Sequence, residues 1–323
     1  MSTRDPSRRD LLRGAVALGA GAALAPTSIA AEPLATVRKP AVRFAHLTDM
    51  HVDADPRRRG DLGFASALRH VSALSNPPEF LITGGDHVYE GFAATRPFAD
   101  RQWDAYARVL AEGTKLPVHP VIGNHDVWGW PDDKLAGDEP GYGKALPCDR
   151  LGIEKPYYSF DRGGWHFVVL DNIARRGNRY FGGLDDAQAE WLKGDLRAAE
   201  KRPVCVISHI PILAACVLFD TDTRPKDDGW HLPDATLHRN PKTLIDLLKT
   251  ANTRLCISGH IHLVDRVEYR GINFVCDGAV CGNWWKGPLQ EFPEGYGTFD
   301  LYADGTFDCH YRAYGWERVK ANG

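Results

Sequence analysis

Leu81-Ile82-Thr83-Gly84-Gly85-Asp86-His87-Val88-Tyr89 carries an apolar strand into two glycines and then presents a carboxylate. A buried strand ending in Gly-Gly puts Asp86 at the carboxyl edge of a sheet, where open α/β sheets bind ligands. Four further strand ends repeat the pattern: Asp49-Met50-His51, Gly123-Asn124-His125-Asp126, Ser208-His209 and Gly259-His260-Ile261-His262. Together they offer Asp, Asn and His and no thiolate, a donor set for a hard or borderline pair of divalent metals. One centre assembled from Asp49 to His262 implies a single domain.

Working outward, Val42 to Leu47 alternates with period two and delivers Asp49 and His51 at its end. Leu62, Ala65, Leu68 and Val71 have helical spacing, and Phe80 to Thr83 is the next strand. This βαβ unit has parallel strands, which place both carboxylates on one sheet edge. A helix over Phe98 to Glu112 precedes a strand over Val118 to Ile122. Trp128 to Lys155 is aperiodic and reads as a long loop, with its tryptophans favouring a lid beside the site. Tyr157 to Phe160 and Trp165 to Leu170 form a hairpin, and Asp185 to Glu200 is a helix with Ala187, Trp191 and Leu192 inward. After the strand Val204 to Ile207 comes an irregular segment, Ala214 to Asn240. Pro241 to Thr250 is a helix with proline in its first turn, and Leu255 to Ser258 is a strand. Val264 to Tyr314 reads as hairpins turning at Arg270-Gly271 and Asp304-Gly305.

The chain of 323 residues is 43% apolar and 25% charged, enough for one sizeable core. Residues 1–30 read as a leader rather than as part of the fold. Ser7-Arg8-Arg9-Asp10-Leu11-Leu12 is a twin-arginine pattern, followed by a Gly/Ala run and a small-x-small site at Ser28-Ile29-Ala30. Its four Arg and two Asp account for two positive charges, so removing it takes the formal charge from −3 to −5. That balance gives no electrostatic help to nucleic-acid binding. With no apolar run long enough to span a bilayer after the leader, residues 31–323 read as one domain exported by the twin-arginine machinery to the periplasm or beyond. Among seven cysteines, Cys205 and Cys256 read as core, while Cys276 and Cys281 are a possible pair.

The five motifs, in this order, resemble those of the calcineurin-like metallophosphoesterases, over roughly residues 42 to 270. The resemblance implies a four-layer α/β/β/α sandwich, here with a mainly β C-terminal part over 265–323. It implies two divalent transition metals (manganese, iron or zinc), one held by Asp49, His51, Asp86 and His262 and the other by Asp86, Asn124, His209 and His260. Asp86 would bridge. Two dications sharing a carboxylate lower the pKa of a bridging water, so the nucleophile is hydroxide. The resemblance places His125 outside the metal shell, stabilising phosphoryl oxygens or protonating the leaving group, with Asp126 to orient it.

These readings converge on hydrolysis of a phosphate ester, with a diester of a small molecule, lipid or envelope polymer favoured. The motifs are closest to the class III cyclic-nucleotide phosphodiesterases. No basic residue follows Asn124 as in phosphoprotein phosphatases. Two alternatives stand: a purple-acid-type phosphomonoesterase and an inactive metal- or ligand-binding relative. Tyr89 has the spacing of the purple enzymes' iron-binding tyrosine, but those enzymes lack the first-motif histidine that His51 supplies. Tyr89 is therefore expected outside the donor set, and His87 is either packed or a support for the ligands. Gly282 to Pro288 and Pro293 to Tyr296 are either a cap on the core or a wall of the substrate cleft.

Overall fold

The computed structural model describes residues 38–317, apart from 54, 56, 221–223 and 227–228. The chain divides into Met1–Arg38 and Lys39–Gly323, and every element below belongs to the second unit. The twin-arginine pattern and its cleavage site lie outside the described residues.

In chain order the elements are β1 (Val42–Leu47), α1 (Gly60–Ser72), β2 (Phe80–Thr83), α2 (Arg96–Gly113), β3 (Val118–Pro120), α3 (Ala145–Leu151), β4 (Tyr158–Arg162), β5 (Trp165–Val169), β6 (Ile173–Arg176), β7 (Arg179–Gly182), α4 (Asp186–Ala198), β8 (Val204–Ile207), a 3-10 turn (Cys216–Phe219), β9 (Arg224–Lys226), β10 (Gly229–His231), α5 (Pro241–Leu248), β11 (Thr253–Ser258), β12 (Asp265–Tyr269), β13 (Ile272–Cys276), β14 (Gly295–Leu301) and β15 (Phe307–Ala313).

Side-chain alternation along the strands builds the layers. In β1, Val42 and Phe44 face a core shared with Phe167 of β5, Cys205 and Ile207 of β8, and Leu255 and Ile257 of β11. That core lies between two sheets, ordered β15-β14-β1-β2-β3 and β12-β13-β11-β8-β5-β4. Ala45 and Leu47, on the opposite face of β1, pack with Phe64, Ala67, Trp103 and Tyr106 of α1 and α2. Val204 and Val206 of β8 likewise pack on Leu192 and Leu196 of α4 and Leu244 and Leu248 of α5. The result is the expected α/β/β/α sandwich. Strands β1, β2 and β3 run parallel, as do β5, β8, β11 and β13, so their carboxyl ends meet at one edge.

The β-rich C-terminal part joins both sheets: β13 pairs with β11 in one, and β14 pairs with β1 in the other. Three details depart from the sequence reading. The stretch 128–155 holds α3 and is packed down, with Trp128 and Trp130 buried and Trp128 Nε1 donating to the Ala94 carbonyl at 2.9 Å. In α4 the inward position belongs to Gln188, while Ala187 is exposed. The Gln188 amide accepts from Asp171 N at 2.9 Å and donates to Asp171 O at 2.7 Å, serving that strand end as a neighbouring backbone would. All seven cysteines are free: Cys276 donates to the Gly259 carbonyl and Cys281 to that of Gly282. Among the described residues no helix is long and apolar enough to cross a membrane.

Trp285, fully buried, presses on α1 where a methyl group on Gly63 would stand 2.0 Å from its ring. A ring fixed in the core cannot yield, so Gly63→Ala should lower the unfolding free energy in a denaturant titration by about 1–3 kcal/mol. Gly194, mid-helix in α4 with only the Arg197 guanidinium nearby, should behave oppositely, Gly194→Ala adding about 0.5–1 kcal/mol.

Candidate metal centre

At the carboxyl edge of both sheets the chain bends sharply, and it bends with non-glycine residues. Asp49, His51, Asp86, His260 and His262 all have left-handed backbones, with φ between 41° and 73°. Each such residue costs on the order of 1–3 kcal/mol, which the surrounding contacts must offset. Backbone bonds tie the bends to one another: Asp49 N donates to Gly85 O (3.0 Å), His51 N to Asp86 O (2.9 Å), Gly259 N to His209 O (3.0 Å) and Cys281 N to Asp49 O (3.2 Å). The loops approach so closely that a Cβ on Gly259 would lie 2.4 Å from Asp49 Oδ2, and one on Gly123 would lie 2.2 Å from Asp86 N.

These bends aim seven side chains at one place. Asp86 Oδ2 lies 3.6 Å from His51 Nε2 and 3.2 Å from His209 Nε2, so it is common to two groups. On one side, His51 Nε2 and His262 Nε2 are 3.2 Å apart and Asp49 Oδ1 is 3.3 Å from His262 Nε2. On the other, His209 Nε2 stands 3.2 Å from Asn124 Oδ1 and 3.3 Å from His260 Nδ1. All seven side chains therefore lie together around the Asp86 carboxylate, and the groups close enough to hold an ion are His51 with Asp86 and His125, Asp86 with His209 and His260, and His51 with His262 and Cys281.

Three of the four rings are anchored on the side away from the site, while His51 Nδ1 is buried without a hydrogen-bond partner. His209 Nδ1 donates to Gly84 O (2.8 Å), His262 Nδ1 to Gly282 O (2.8 Å) and His260 Nε2 to Ala235 O (3.0 Å). A neutral imidazole anchored through one N–H turns a lone pair inward, as metal-ligating histidines do. The carboxylates are fixed the same way: Asp49 Oδ2 accepts from Thr48 Oγ1 and His260 N, and Asp86 Oδ1 accepts from His125 N. Asp49 Oδ1 is left buried with no hydrogen-bond partner. Two metal ions fit this donor set, since histidine and carboxylate acceptors face each other at 3.2–3.3 Å with Asp49 Oδ1 unpartnered among them.

Protons stand in for that charge otherwise. Burial alone pushes the Asp49 and Asp86 carboxyls up, but neighbouring histidines, His262 and His209 for Asp49 and chiefly His209 for Asp86, hold both well below the usual range. In return, against the opposing effect of burial, Asp86 and Asp49 raise His209 to about 9, and Cys281 and Asp49 raise His262. Burial lowers His260 to about 4 and lowers His51.

The calcineurin-like phosphoesterase family profile matches residues 42–264, more than half of the chain and all five strand-end motifs. The chain belongs to the calcineurin-like phosphoesterases. It is 26% identical over 220 residues to serine/threonine-protein phosphatase CPPED1 of Homo sapiens, covering 66% of this chain and 63% of that protein. It is 22% identical over 280 residues to a 3′,5′-cyclic-nucleotide phosphodiesterase of Nostoc sp., covering 82% and 90% of the two. The crystal structure of a dimetal phosphatase from Danio rerio shares the fold, with a TM-score of 0.59 at 16% identity, covering 85% of this chain and 97% of that one.

Around this phosphoesterase's donor set, the neighbours of His125 differ from expectation. Asp126 does not orient His125: its buried carboxylate accepts from the backbone N–H of Gly123, Asp86 and His87 and pairs with His87 Nδ1 at 2.8 Å. It clamps two ligand loops together, and no oxygen remains for His125. The carboxylate that faces His125 is Glu90, whose Oε2 lies 3.9 Å from Nδ1, and Gly91 N bonds His125 O at 2.8 Å. Nothing in the sequence marks Glu90, since it lies 35 positions upstream in no motif. His87 is packed, bridging Asp126 and Thr83 Oγ1 behind the site. Tyr89 stands beyond His51, with ring centroids 6.4 Å apart and the Arg58 guanidinium 4.0 Å over its ring. The tail supplies both cap and wall: Trp285 is core, while Trp284 leans on His51 with ring centroids 4.0 Å apart.

Metal binding must displace the protons that His209 and His262 hold. Loading the metal-free protein near pH 7.5 should release about two protons per chain, and apparent metal affinity should fall steadily as pH falls below about 9. Calorimetric titrations in buffers of different ionisation enthalpy count those protons; release of none would contradict this electrostatic balance.

Proposed function

We propose that this protein hydrolyses phosphodiesters with two divalent metal ions, outside the cytoplasm. The observation that carries the reading is Asp86 Oδ2, common to two complete His/Asp/Asn donor groups on the wall of a cleft of about 410 Å³. Bound divalent cations supply Lewis acidity toward the phosphoryl group and a hydroxide nucleophile near neutral pH. The chain's own residues do the rest. Asp49, His51, Asp86 and His262 would hold one ion, and Asp86, Asn124, His209 and His260 the other. His125, partly exposed in the cleft with Nδ1 3.9 Å from the Glu90 carboxylate, would stabilise a phosphoryl oxygen or deliver a proton to the leaving group. Trp284 leans over His51, which is itself fully buried.

Similarity to a cyclic-nucleotide phosphodiesterase over most of both chains supports a diester over a monoester. The position of Tyr89, beyond the donor set, supports manganese, zinc or ferrous iron over a ferric site with a phenolate ligand. Small-molecule, lipid or envelope-polymer phosphodiesters are the substrates available to an exported enzyme. The leader motif supports that export: changing Arg8-Arg9 to two lysines should leave uncleaved precursor in the cytoplasm on cell fractionation.

The reconstituted protein should hold two metal ions by elemental analysis, turn over an aryl phosphodiester such as bis-p-nitrophenyl phosphate, and show no strong visible charge-transfer band. His125→Ala should keep both metals and lose about 10²–10⁴-fold in kcat. Glu90→Gln should lower kcat with metal content intact, whereas Asp126→Asn should lower metal content. One ion or none in a folded protein would sink the proposal.

A further inference from the structure

Resting on that phosphoesterase reading, we propose that Trp284 is a stacking platform for the organic group of the substrate, and that the enzyme prefers phosphoesters whose esterified group is a flat aromatic ring. The loop after β13 puts two adjacent tryptophans to opposite uses. Trp285 is fully buried and donates through Nε1 to the His51 carbonyl at 3.0 Å. Trp284 stays partly exposed and lines the cleft together with Asn283, Leu289 and Gln290 from the same loop.

Both residues hold left-handed backbones, φ 53° and 64°, a conformation that bulky side chains rarely take. Short backbone bonds enforce it: Trp285 N to Cys281 O at 2.8 Å, Asn283 N to Gly287 O at 2.8 Å and Lys286 N to Asn283 O at 2.9 Å. The anchoring of Trp285 explains one of the two strained positions. The other serves to hold an indole beside the reacting groups, with its centroid 4.0 Å from His51, 5.1 Å from His125 and 5.4 Å from His262. A phosphoryl group placed between the donor set and His125 has its ester oxygens next to that indole. Whatever is esterified there lies along it, and an aromatic ring gains offset stacking beyond the area it buries.

The test separates flatness from apolarity. Metal-loaded protein would be titrated calorimetrically with phenylphosphonate and with cyclohexylphosphonate, which are similar in apolar bulk and different in shape. Phenylphosphonate should bind about fivefold tighter. Trp284→Leu, which keeps apolar cover over His51, should retain two metals by elemental analysis and abolish the difference, and Trp284→Phe should restore part of it. Equal binding by the unaltered protein, or a preference that survives in the leucine variant, would overturn the assignment. Loss of a metal from the leucine variant would also overturn it, by making Trp284 a support for His51. Failure of both phosphonates to bind the two-metal protein would overturn the phosphoesterase reading, and this inference with it.

Discussion

The structure depends on a backbone constraint: ligands at the ends of parallel strands must turn inward over the sheet edge within two or three residues. Right-handed or extended conformations would carry the chain onward and away, so five of the seven ligands take left-handed ones. The cost of that choice is spread over bonds between neighbouring bends rather than met locally. This is why glycines adjoin the ligands, as Gly84-Gly85, Gly123 and Gly259 do, each letting one bend settle against the next. A bend that moved would carry its partners with it.

Buried polar side chains complete what the backbone begins. Asp126 gathers three N–H groups from two ligand loops, and Asn172 exchanges two bonds with Ile210, next to His209. Left unpaired, a buried carboxylate or amide would cost free energy, and each side-chain oxygen and nitrogen of Asp126 and Asn172 has at least one partner. The donor set therefore rests on a framework of hydrogen bonds among the protein's own groups.

Much of this was legible in the sequence because the signal is local. β2 and β8 fall where their apolar runs predict, and every ligand sits in a short motif whose own strand delivers it. What was illegible is tertiary. Asp126 adjoins His125 in sequence, yet its carboxylate is taken by amides that the fold brings to it, and the group opposite His125 comes from a loop 35 positions earlier. Gln188 reads as a surface residue until Asp171 appears beside it. The hairpins of the C-terminal part were recognisable as hairpins, but which sheet each would join depends on its partner strand, β11 close by for β13 and β1 more than two hundred residues away for β14.

That last feature bears on the order in which the molecule can be made. β1, the first strand among the described residues, is central in its sheet, flanked by β2 and by β14, with Val42 opposite Leu301. A chain still on the ribosome has one edge of β1 unpaired until nearly the whole sequence has emerged, and the bend carrying Asp49 lacks the Val280 and Cys281 amides that bond to Thr48 and Asp49. Folding of the first sheet is therefore an event of the finished chain, slow by the standard of local topologies, and an unpaired apolar strand waits for it. Nascent chains of this protein have reason to be met by a chaperone before they are met by metal.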